Sequence, residues 1–189
     1  MKPIKTIGHS NHPIDRFVDL LTAGGVEVLV DVRSTPYSRR FPQFGRERLA
    51  ARLAVAGILY RYEGAALGGK PQGGGSYETL AARPEFAEAL DRLAASAADT
   101  TLCLMCAEKE PLDCHRTVLV SRRLAERGLP VEHLLADGRS ETHAAVEDRL
   151  LNGSKEGLPD LFTAAEDRST RLARIWQARE RAMKRTVAP

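Results

Sequence analysis

The chain has 189 residues, a formal net charge of +3, and 43% hydrophobic and 28% charged residues. These proportions are those of a water-soluble protein with a sizeable core. No apolar run approaches the roughly 20 residues that cross a bilayer, which excludes a membrane-spanning protein. The three cysteines, Cys103, Cys106 and Cys114, do not suggest a disulfide framework. Because the first residues also lack the apolar core of a secretion signal, we expect a cytoplasmic location.

Segments typical of strands and of helices alternate along the chain. Strands are predicted over residues 4–8, 26–32, 58–62, 100–106 and 131–135, where apolar and β-branched residues are concentrated. Helices are predicted over residues 13–23, 46–56, 77–95 and 114–127, the third with an interruption before Pro84. From about residue 141 the chain is polar and helical, and Phe162, Leu172 and Trp176 share one face of a long terminal helix.

This alternation predicts the α/β class. The expected architecture is a mainly parallel sheet of about five strands with helices on both faces over residues 1–140. A helical C-terminal extension over residues 141–189 is expected to pack on it. Ligands of such sheets bind beyond the carboxyl ends of the strands. Polar or reactive residues follow four of the predicted strands directly, so a site is predicted at that edge.

The segment CAEKEPLDCHR carries the densest set of reactive side chains. Cys106 ends the fourth predicted strand, and Cys114 begins the next predicted helix, with Asp113 as the expected N-cap. A helix N-terminus favours an anion and lowers the pKa of a thiol, so Cys114 is a candidate nucleophile. His115 supplies a titratable base, and Arg116 supplies a fixed cation that suits a phosphate.

Two other interpretations of this segment stay open. Cys106, Cys114 and His115 could bind a metal ion such as zinc, with Glu108 or His9 as a further ligand. Against this, neighbouring residues on a helix point about 100° apart. Both cysteines could instead be small buried hydrophobic residues. We assign the segment as catalytic, with Glu108 as a reserve acid or base, and we assign no metal ligand.

A second candidate segment, rich in Ser, Pro and Arg, follows the second predicted strand. Asp31 and Arg33 are two residues apart and so share a face, and Ser34 and Arg39 follow on the loop. Such a loop suits the binding of a phosphate or a carboxylate, and Arg33 is the residue that we favour for it. The alternative is that Asp31 and Arg33 form a structural ion pair.

Two further strand ends supply candidates. Gly8 allows a sharp turn after the first strand. It is followed by His9, a candidate general acid or base, and by Ser10. The Gly-rich stretch after the third strand contains Gly68 and Gly69, whose backbone amides could approach a phosphate. This stretch lacks the spacing of a P-loop, and no dinucleotide fingerprint follows the first strand. No cofactor is therefore implied by a motif.

With these residues placed, the chain resembles the domain-of-unknown-function family 488. The matching pieces are TIGHSNHPIDRFVDLL, VEVLVDVRSTPYSRRFPQF, YRYEGAALGGKP, LCLMCAEKEPLDCHRTVLV and VEHLL, over about residues 6–135. The resemblance implies a compact α/β domain. It also implies a site formed by the GHS, DVR and CHR motifs together with Ser34 and Pro36. It supplies no reaction.

We therefore expect an enzyme, a hydrolase or transferase, that acts on a phosphorylated or otherwise anionic substrate, with a nucleotide or nucleic acid favoured. Arg33 and Arg116 would hold the anion, Cys114 or Cys106 would supply a thiolate, and His9 or His115 would move a proton. The alternatives are a module that binds a nucleotide or nucleic acid without turnover, and a Cys/His metal-binding protein. No membrane partner is expected.

Overall fold

A six-stranded sheet is the centre of the fold. The computed structural model describes residues 2–70, 75–153 and 167–187. The strands are β1 (Ile4–Gly8), β2 (Val28–Asp31), β3 (Leu59–Tyr62), β4 (Leu102–Cys106), β5 (Val131–Leu134) and β6 (Ser140–Thr142). They lie in the order β3-β2-β4-β1-β5-β6, and every pairing is parallel except that between β5 and β6. The predicted α/β class is confirmed, with six strands instead of about five.

The sixth strand could not be predicted because it is short and polar. It has three residues, too few to show an alternating pattern, and its pairing with β5 defines it. The turn between the two strands places Gly138 at a φ of 93°, which glycine adopts without strain. This strand lies where we predicted the boundary between the α/β domain and the C-terminal extension, and that division stays a prediction.

Helices connect the strands and follow the sheet. In chain order they are α1 (Ile14–Ala23), α2 (Arg46–Val55), α3 (Gly64–Leu67), α4 (Tyr77–Ala81), α5 (Pro84–Ser96), α6 (Arg122–Glu126), α7 (His143–Gly153) and α8 (Arg168–Val187). The predicted interruption before Pro84 is confirmed, because a proline disfavours helical backbone in the residue before it. The predicted helical position of Phe162 lies outside the described residues. No helix within these three ranges is long and apolar enough to cross a membrane.

The segment that leads directly into α6 differs from the prediction. Residues Arg116–Ser121 form a π-helical turn that continues into α6, whereas a regular helix was predicted from residue 114. Such turns are rare and occur often at functional sites. Every residue of the turn is buried. The chain therefore enters the interior of the protein at Arg116, the last residue of the CHR motif.

Helices cover both faces of the sheet, as the burial of β4 shows. Leu104 and Cys106 belong to one core, which also contains Cys114, whereas Cys103 and Met105 belong to the core on the opposite face. All five residues of β4 are buried. Because successive side chains of a strand alternate between faces, Cys106 can meet Cys114 and Cys103 cannot.

The terminal helix α8 is packed against the core that contains Cys106. Its residues Ile175 and Trp176 are buried there. Trp176 stacks on His143, with ring centroids 5.9 Å apart and planes inclined by 6°. Nδ1 of His143 in turn lies 3.1 Å from Nε2 of His133 on β5. The helix is therefore joined to the sheet through apolar contacts and a pair of buried imidazoles.

These buried imidazoles make stability depend on pH. Burial lowers the pKa of His143 from 6.5 to about 4. Burial also lowers the pKa of His133, to well below its ordinary value. As the pH falls, the unfolded chain therefore binds protons before the folded chain does, and stability falls with pH below about 6.5. We expect His143 alone to cost about 2 kcal/mol of unfolding free energy between pH 7 and pH 5.

Urea titrations of the wild type and of His143→Phe at both pH values measure this effect. The phenyl ring keeps the stack on Trp176 and removes the titration, so the variant should lose much less stability between the two pH values. An equal loss in both proteins would contradict the assignment to His143.

Candidate active site

Three neighbouring parallel strands end at the same edge of the sheet. Gly8 is paired with Cys106, and Asp31 is paired with Met105. Beyond the strand ends, the backbone N–H of His9 donates to the Cys106 carbonyl at 2.8 Å, so the loops also meet. The GHS, DVR and CHR segments, distant in sequence, are thereby brought to one place.

Two thiols, an imidazole and a carboxylate lie together at the end of β4. Cys106 Sγ is 3.0 Å and Cys114 Sγ is 2.9 Å from the same Oε2 atom of Glu108, and Cys106 Sγ is 3.4 Å from His115 Nδ1. Each of the four residues offers one atom that could bind a metal ion, and these four atoms all lie within 4.8 Å of one another. Three of the residues are buried, whereas Glu108 is exposed as a whole although its Oε2 reaches the sulfurs. We call Cys106, Glu108, Cys114 and His115 the thiol cluster.

The position of Cys114 at the start of the helix allows this convergence. Its backbone is extended, with φ −130° and ψ 139°, and its sulfur accepts a hydrogen bond from the Arg116 N–H at 3.4 Å. Cys114 is therefore the N-cap, and the predicted N-cap Asp113 instead ends a 3-10 turn. Because Cys114 is extended while His115 is helical, the 100° separation of two helical neighbours does not apply.

The ring of His115 is held in one orientation. Nε2 lies 2.9 Å from the carbonyl oxygen of Val32, which follows β2. Since a carbonyl only accepts, Nε2 carries a hydrogen, and in the neutral ring Nδ1 presents its lone pair to Cys106. Burial lowers the pKa of His115, but the hydrogen bond and negative charge of Cys114 outweigh this effect and raise the pKa overall.

Gly69 packs directly on this ring. A Cβ atom at position 69 would lie 2.5 Å from both Cβ and Cγ of His115. We expect Gly69→Ala to lower the unfolding free energy by about 1–3 kcal/mol, because the imidazole is tied to Val32 and cannot retreat. Gly153→Ala is the matched control, since a Cβ there meets no described atom within 4 Å. Urea unfolding compares the two variants, and equal stabilities would show that position 69 has room for a methyl group.

Arg116 fixes the loop that carries Glu108. Its side chain is fully buried, and its guanidinium donates to the carbonyl oxygens of Glu108 at 2.6 Å and Lys109 at 3.3 Å. Its Nε is buried without a hydrogen-bond partner among the described residues. A side chain at Gly8 would overlap the same Glu108 carbonyl oxygen, so only glycine fits there. Arg116 thus places a fixed positive charge beside the thiol cluster, and anion binding by it stays a prediction.

The two sulfurs of the thiol cluster differ in acidity. Burial raises the pKa of Cys114, yet the hydrogen bond from Cys106 and the positive charges of Arg116 and His115 bring it well below the ordinary value. The pKa of Cys106 is raised by burial and by its neighbours Cys114 and Glu108. Burial and the negative charge of Cys114 also raise the pKa of Glu108. Of the two sulfurs, Cys114 is therefore the one whose surroundings favour the thiolate.

Arg33 is held by protein groups. Its Nε and Nη2 donate to the two carboxylate oxygens of Asp31 at 2.9 and 2.6 Å, and Nη2 also donates to the Phe44 carbonyl at 2.9 Å. Asp31 accepts a further hydrogen bond from the Tyr60 hydroxyl at 2.7 Å. Both charged residues are buried. The structural ion pair, our alternative interpretation of this segment, is therefore present, and anion binding by Arg33 stays a prediction.

His9 lies between Arg33 and aromatic side chains. Its ring stacks on Phe44 with centroids 4.3 Å apart, and its Nε2 is 3.3 Å from Arg33 Nη1. Nδ1 lies 2.9 Å from the Ser10 carbonyl oxygen, so Nδ1 carries the hydrogen. Burial lowers the pKa of His9 to about 4. The neutral ring therefore accepts a hydrogen bond from Arg33, and the proposed proton transfer by His9 stays a prediction.

The other predicted binding residues lie in the loops of this edge. Ser34 Oγ accepts a hydrogen bond from the Lys70 N–H at 3.0 Å, and a Cβ at Gly68 would lie 2.5 Å from that oxygen. Ser10 has a left-handed φ of 46°, which is uncommon outside glycine. Arg39 is exposed and forms no ion pair within the described ranges. Gly68 thus allows a close approach to Ser34, and phosphate binding by these residues stays a prediction.

One residue near the thiol cluster was not predicted. Tyr77 is 8% exposed, and burial together with the negative charges of Cys114 and Glu180 raises the pKa of its phenol. Its backbone N–H donates to Glu180 Oε1 of α8 at 2.7 Å. Tyr77 follows the Gly-rich stretch without a motif of its own, so its position could be found only from tertiary contacts such as this one.

Comparison with known proteins identifies a family but no activity. The model of a family described as "Domain of unknown function DUF488" matches residues 13–123, which is more than half of the chain and includes the thiol cluster. No curated protein and no solved structure matches the chain. The chemistry of the site must therefore be inferred from its geometry.

Proposed function

Because the chain belongs to the DUF488 family, whose description names no activity, we propose its function from the site itself. The protein is an enzyme, a hydrolase or transferase, with the thiol cluster as its reaction centre and a phosphorylated or otherwise anionic substrate. The observation that carries this proposal is the convergence of two thiols, an imidazole and a carboxylate within 4.8 Å. Burying so many polar groups costs stability, and such groups concentrate where chemistry is performed.

Cys114 and Glu108 are the residues to which we assign acyl or phosphoryl transfer. The Arg116 N–H donates to the Cys114 sulfur and stabilises it as an anion. Glu108 Oε2 contacts both sulfurs and can take a proton and return it to a leaving group. An anionic sulfur serves such a reaction either by attacking the substrate or by holding a metal ion that activates water. Both routes require Cys114.

Exposed lysines next in sequence to residues of the site support an anionic substrate. Lys109 follows Glu108 directly, and Lys70 follows the glycine that packs on His115. Both lysines are exposed, and neither forms an ion pair with any described residue. Because Arg116 adds a fixed charge at the loop that carries Glu108, a negatively charged substrate would be attracted to this edge of the sheet.

Turnover assays test the proposal. Phosphate monoesters, nucleotides and short oligonucleotides are incubated with the wild type, Cys114→Ser and Glu108→Gln. We expect kcat/KM to fall at least about 10³-fold in Cys114→Ser and about 10²-fold in Glu108→Gln, because each variant removes a group that forms or breaks bonds.

Cys103→Ala is the matched control, because Cys103 is equally buried but lies on the opposite face of β4. Its activity per folded molecule should equal that of the wild type. Turnover that survives in Cys114→Ser would exclude the thiol cluster as the reaction centre. Tight binding of a nucleotide or oligonucleotide without turnover would instead indicate a binding module.

A further inference from the structure

We propose that the thiol cluster binds a single Zn²⁺ ion through Cys106 Sγ, Cys114 Sγ, His115 Nδ1 and a carboxylate oxygen of Glu108. This inference rests on the proposed function and deepens it by naming a cofactor for the same centre. Two sulfurs, one imidazole nitrogen and one carboxylate oxygen are ligands that zinc takes in proteins, and zinc takes four of them. Softer thiolate donors also select zinc over magnesium or calcium.

The separations of the four atoms approach those of a tetrahedral site. At zinc–ligand distances of about 2.0–2.3 Å, tetrahedral geometry places the ligand atoms roughly 3.3–3.8 Å from one another. Three of the ligand-atom pairs in the thiol cluster are 2.9, 3.0 and 3.4 Å apart, and the whole set lies within 4.8 Å. Binding of the ion would require the two short sulfur–oxygen contacts to lengthen by less than about 1 Å.

Groups around the cluster already hold the ligands as a metal site requires. Nε2 of His115 donates to the Val32 carbonyl, which leaves Nδ1 to coordinate. A ligating histidine commonly donates its second ring hydrogen to a carbonyl in this way, which fixes the orientation of its ring. The Arg116 N–H donates to Cys114 Sγ, and the Arg116 guanidinium holds the backbone of Glu108.

The charges balance around one divalent cation. Two thiolates and one carboxylate contribute three negative charges, and the ion contributes two positive charges. The third positive charge comes from Arg116, which is fully buried and has an Nε without a hydrogen-bond partner among the described residues. A buried set with no net charge avoids most of the cost of burying ions.

The fourth ligand differs from the other three in its exposure. Cys106, Cys114 and His115 are buried, whereas Glu108 is exposed. A Cys₂His set with an exchangeable fourth position is a known catalytic zinc arrangement. A water that replaces Glu108 on the ion would lose one proton to the freed carboxylate and attack as hydroxide, and Glu108 would then give that proton to the leaving group.

Metal titration of the full-length, reduced, chelator-treated protein tests the inference. We expect one Zn²⁺ per chain by elemental analysis, and Co²⁺ in its place should give the intense ultraviolet charge-transfer band of cobalt thiolates. Cys106→Ser and Cys114→Ser should each lose most of the bound metal, and Glu108→Gln should bind it about 10-fold more weakly. Cys103→Ala should bind one ion with unchanged affinity, since Cys103 faces the other core.

Circular dichroism verifies that each variant is folded, and the cobalt spectrum of the wild type decides the question even where a cysteine variant fails to fold. A folded wild type that binds no Zn²⁺, or whose Co²⁺ spectrum lacks the thiolate band, overturns the inference. Turnover by such a metal-free chain would leave the proposed function standing. Zinc bound through sulfur in a chain without turnover would support the inference and contradict the proposed function.

Discussion

Replacing Asp31 with asparagine should lower the unfolding free energy by about 3–5 kcal/mol, because it leaves the buried guanidinium of Arg33 without a counter-ion. Asp31 is fully buried, and Arg33 is only 5% exposed. The two carboxylate oxygens of Asp31 accept hydrogen bonds from Arg33 and from Tyr60. Asparagine keeps the shape of the side chain, but its NH₂ group is a donor and would face the donor groups of Arg33 or Tyr60.

Urea unfolding at neutral pH measures this loss, with Asp15→Asn as the matched control. Asp15 pairs with Arg52 at 2.9 Å, but its side chain is 77% exposed. Such a surface pair is worth about 0–1 kcal/mol, so the control should unfold almost as the wild type does. If both substitutions cost the same small amount, the Asp31–Arg33 pair does not hold the DVR segment in place.

Truncating Trp176 to alanine should also cost about 3–5 kcal/mol, because it opens a large cavity in the core where α8 packs on α7. Trp176 is 2% exposed and stacks on His143. Since α8 also carries Glu180, which binds the backbone of Tyr77 near the thiol cluster, loosening the helix should disturb the site as well. Turnover per folded molecule should therefore fall together with stability.

Thermal unfolding followed by circular dichroism measures the loss, because the variant lacks the only tryptophan of the chain and its fluorescence. Val55→Ala is the control, since Val55 is 82% exposed and its truncation leaves no cavity. A Trp176→Ala protein as stable as the Val55→Ala protein would show that α8 contributes little to the fold.

The order of the strands and helices could be predicted because it depends on local patterns. Apolar runs bounded by glycine, and apolar residues at helical spacing, indicated the strands β1 to β5 and most of the helices. The same patterns place the GHS, DVR and CHR segments after strands, and parallel strands bring such segments to one edge. β6 has too few residues to show a pattern, and its pairing partner alone defines it.

The arrangement of the candidate site depended on contacts that no local pattern contains. The extended backbone of Cys114 places two sulfurs on one carboxylate, and this conformation follows from the 3-10 turn before it and the π-helical turn after it. The role of Arg33 was likewise decided by burial, because a guanidinium enclosed by Asp31 and Phe44 is held by protein groups. Tyr77 is a further example, because its backbone is bound by Glu180 of α8, far away in the sequence.

By itself, the sequence determined the class of fold, the edge of the sheet that carries reactive residues, and the types of those residues. These follow from interactions between residues close in the chain, which periodicity records directly. Tertiary structure alone decided which of these side chains meet, which are enclosed and which stay available for chemistry. Those properties depend on contacts between segments that lie up to about a hundred residues apart in the sequence. The local pattern of one segment does not contain such contacts.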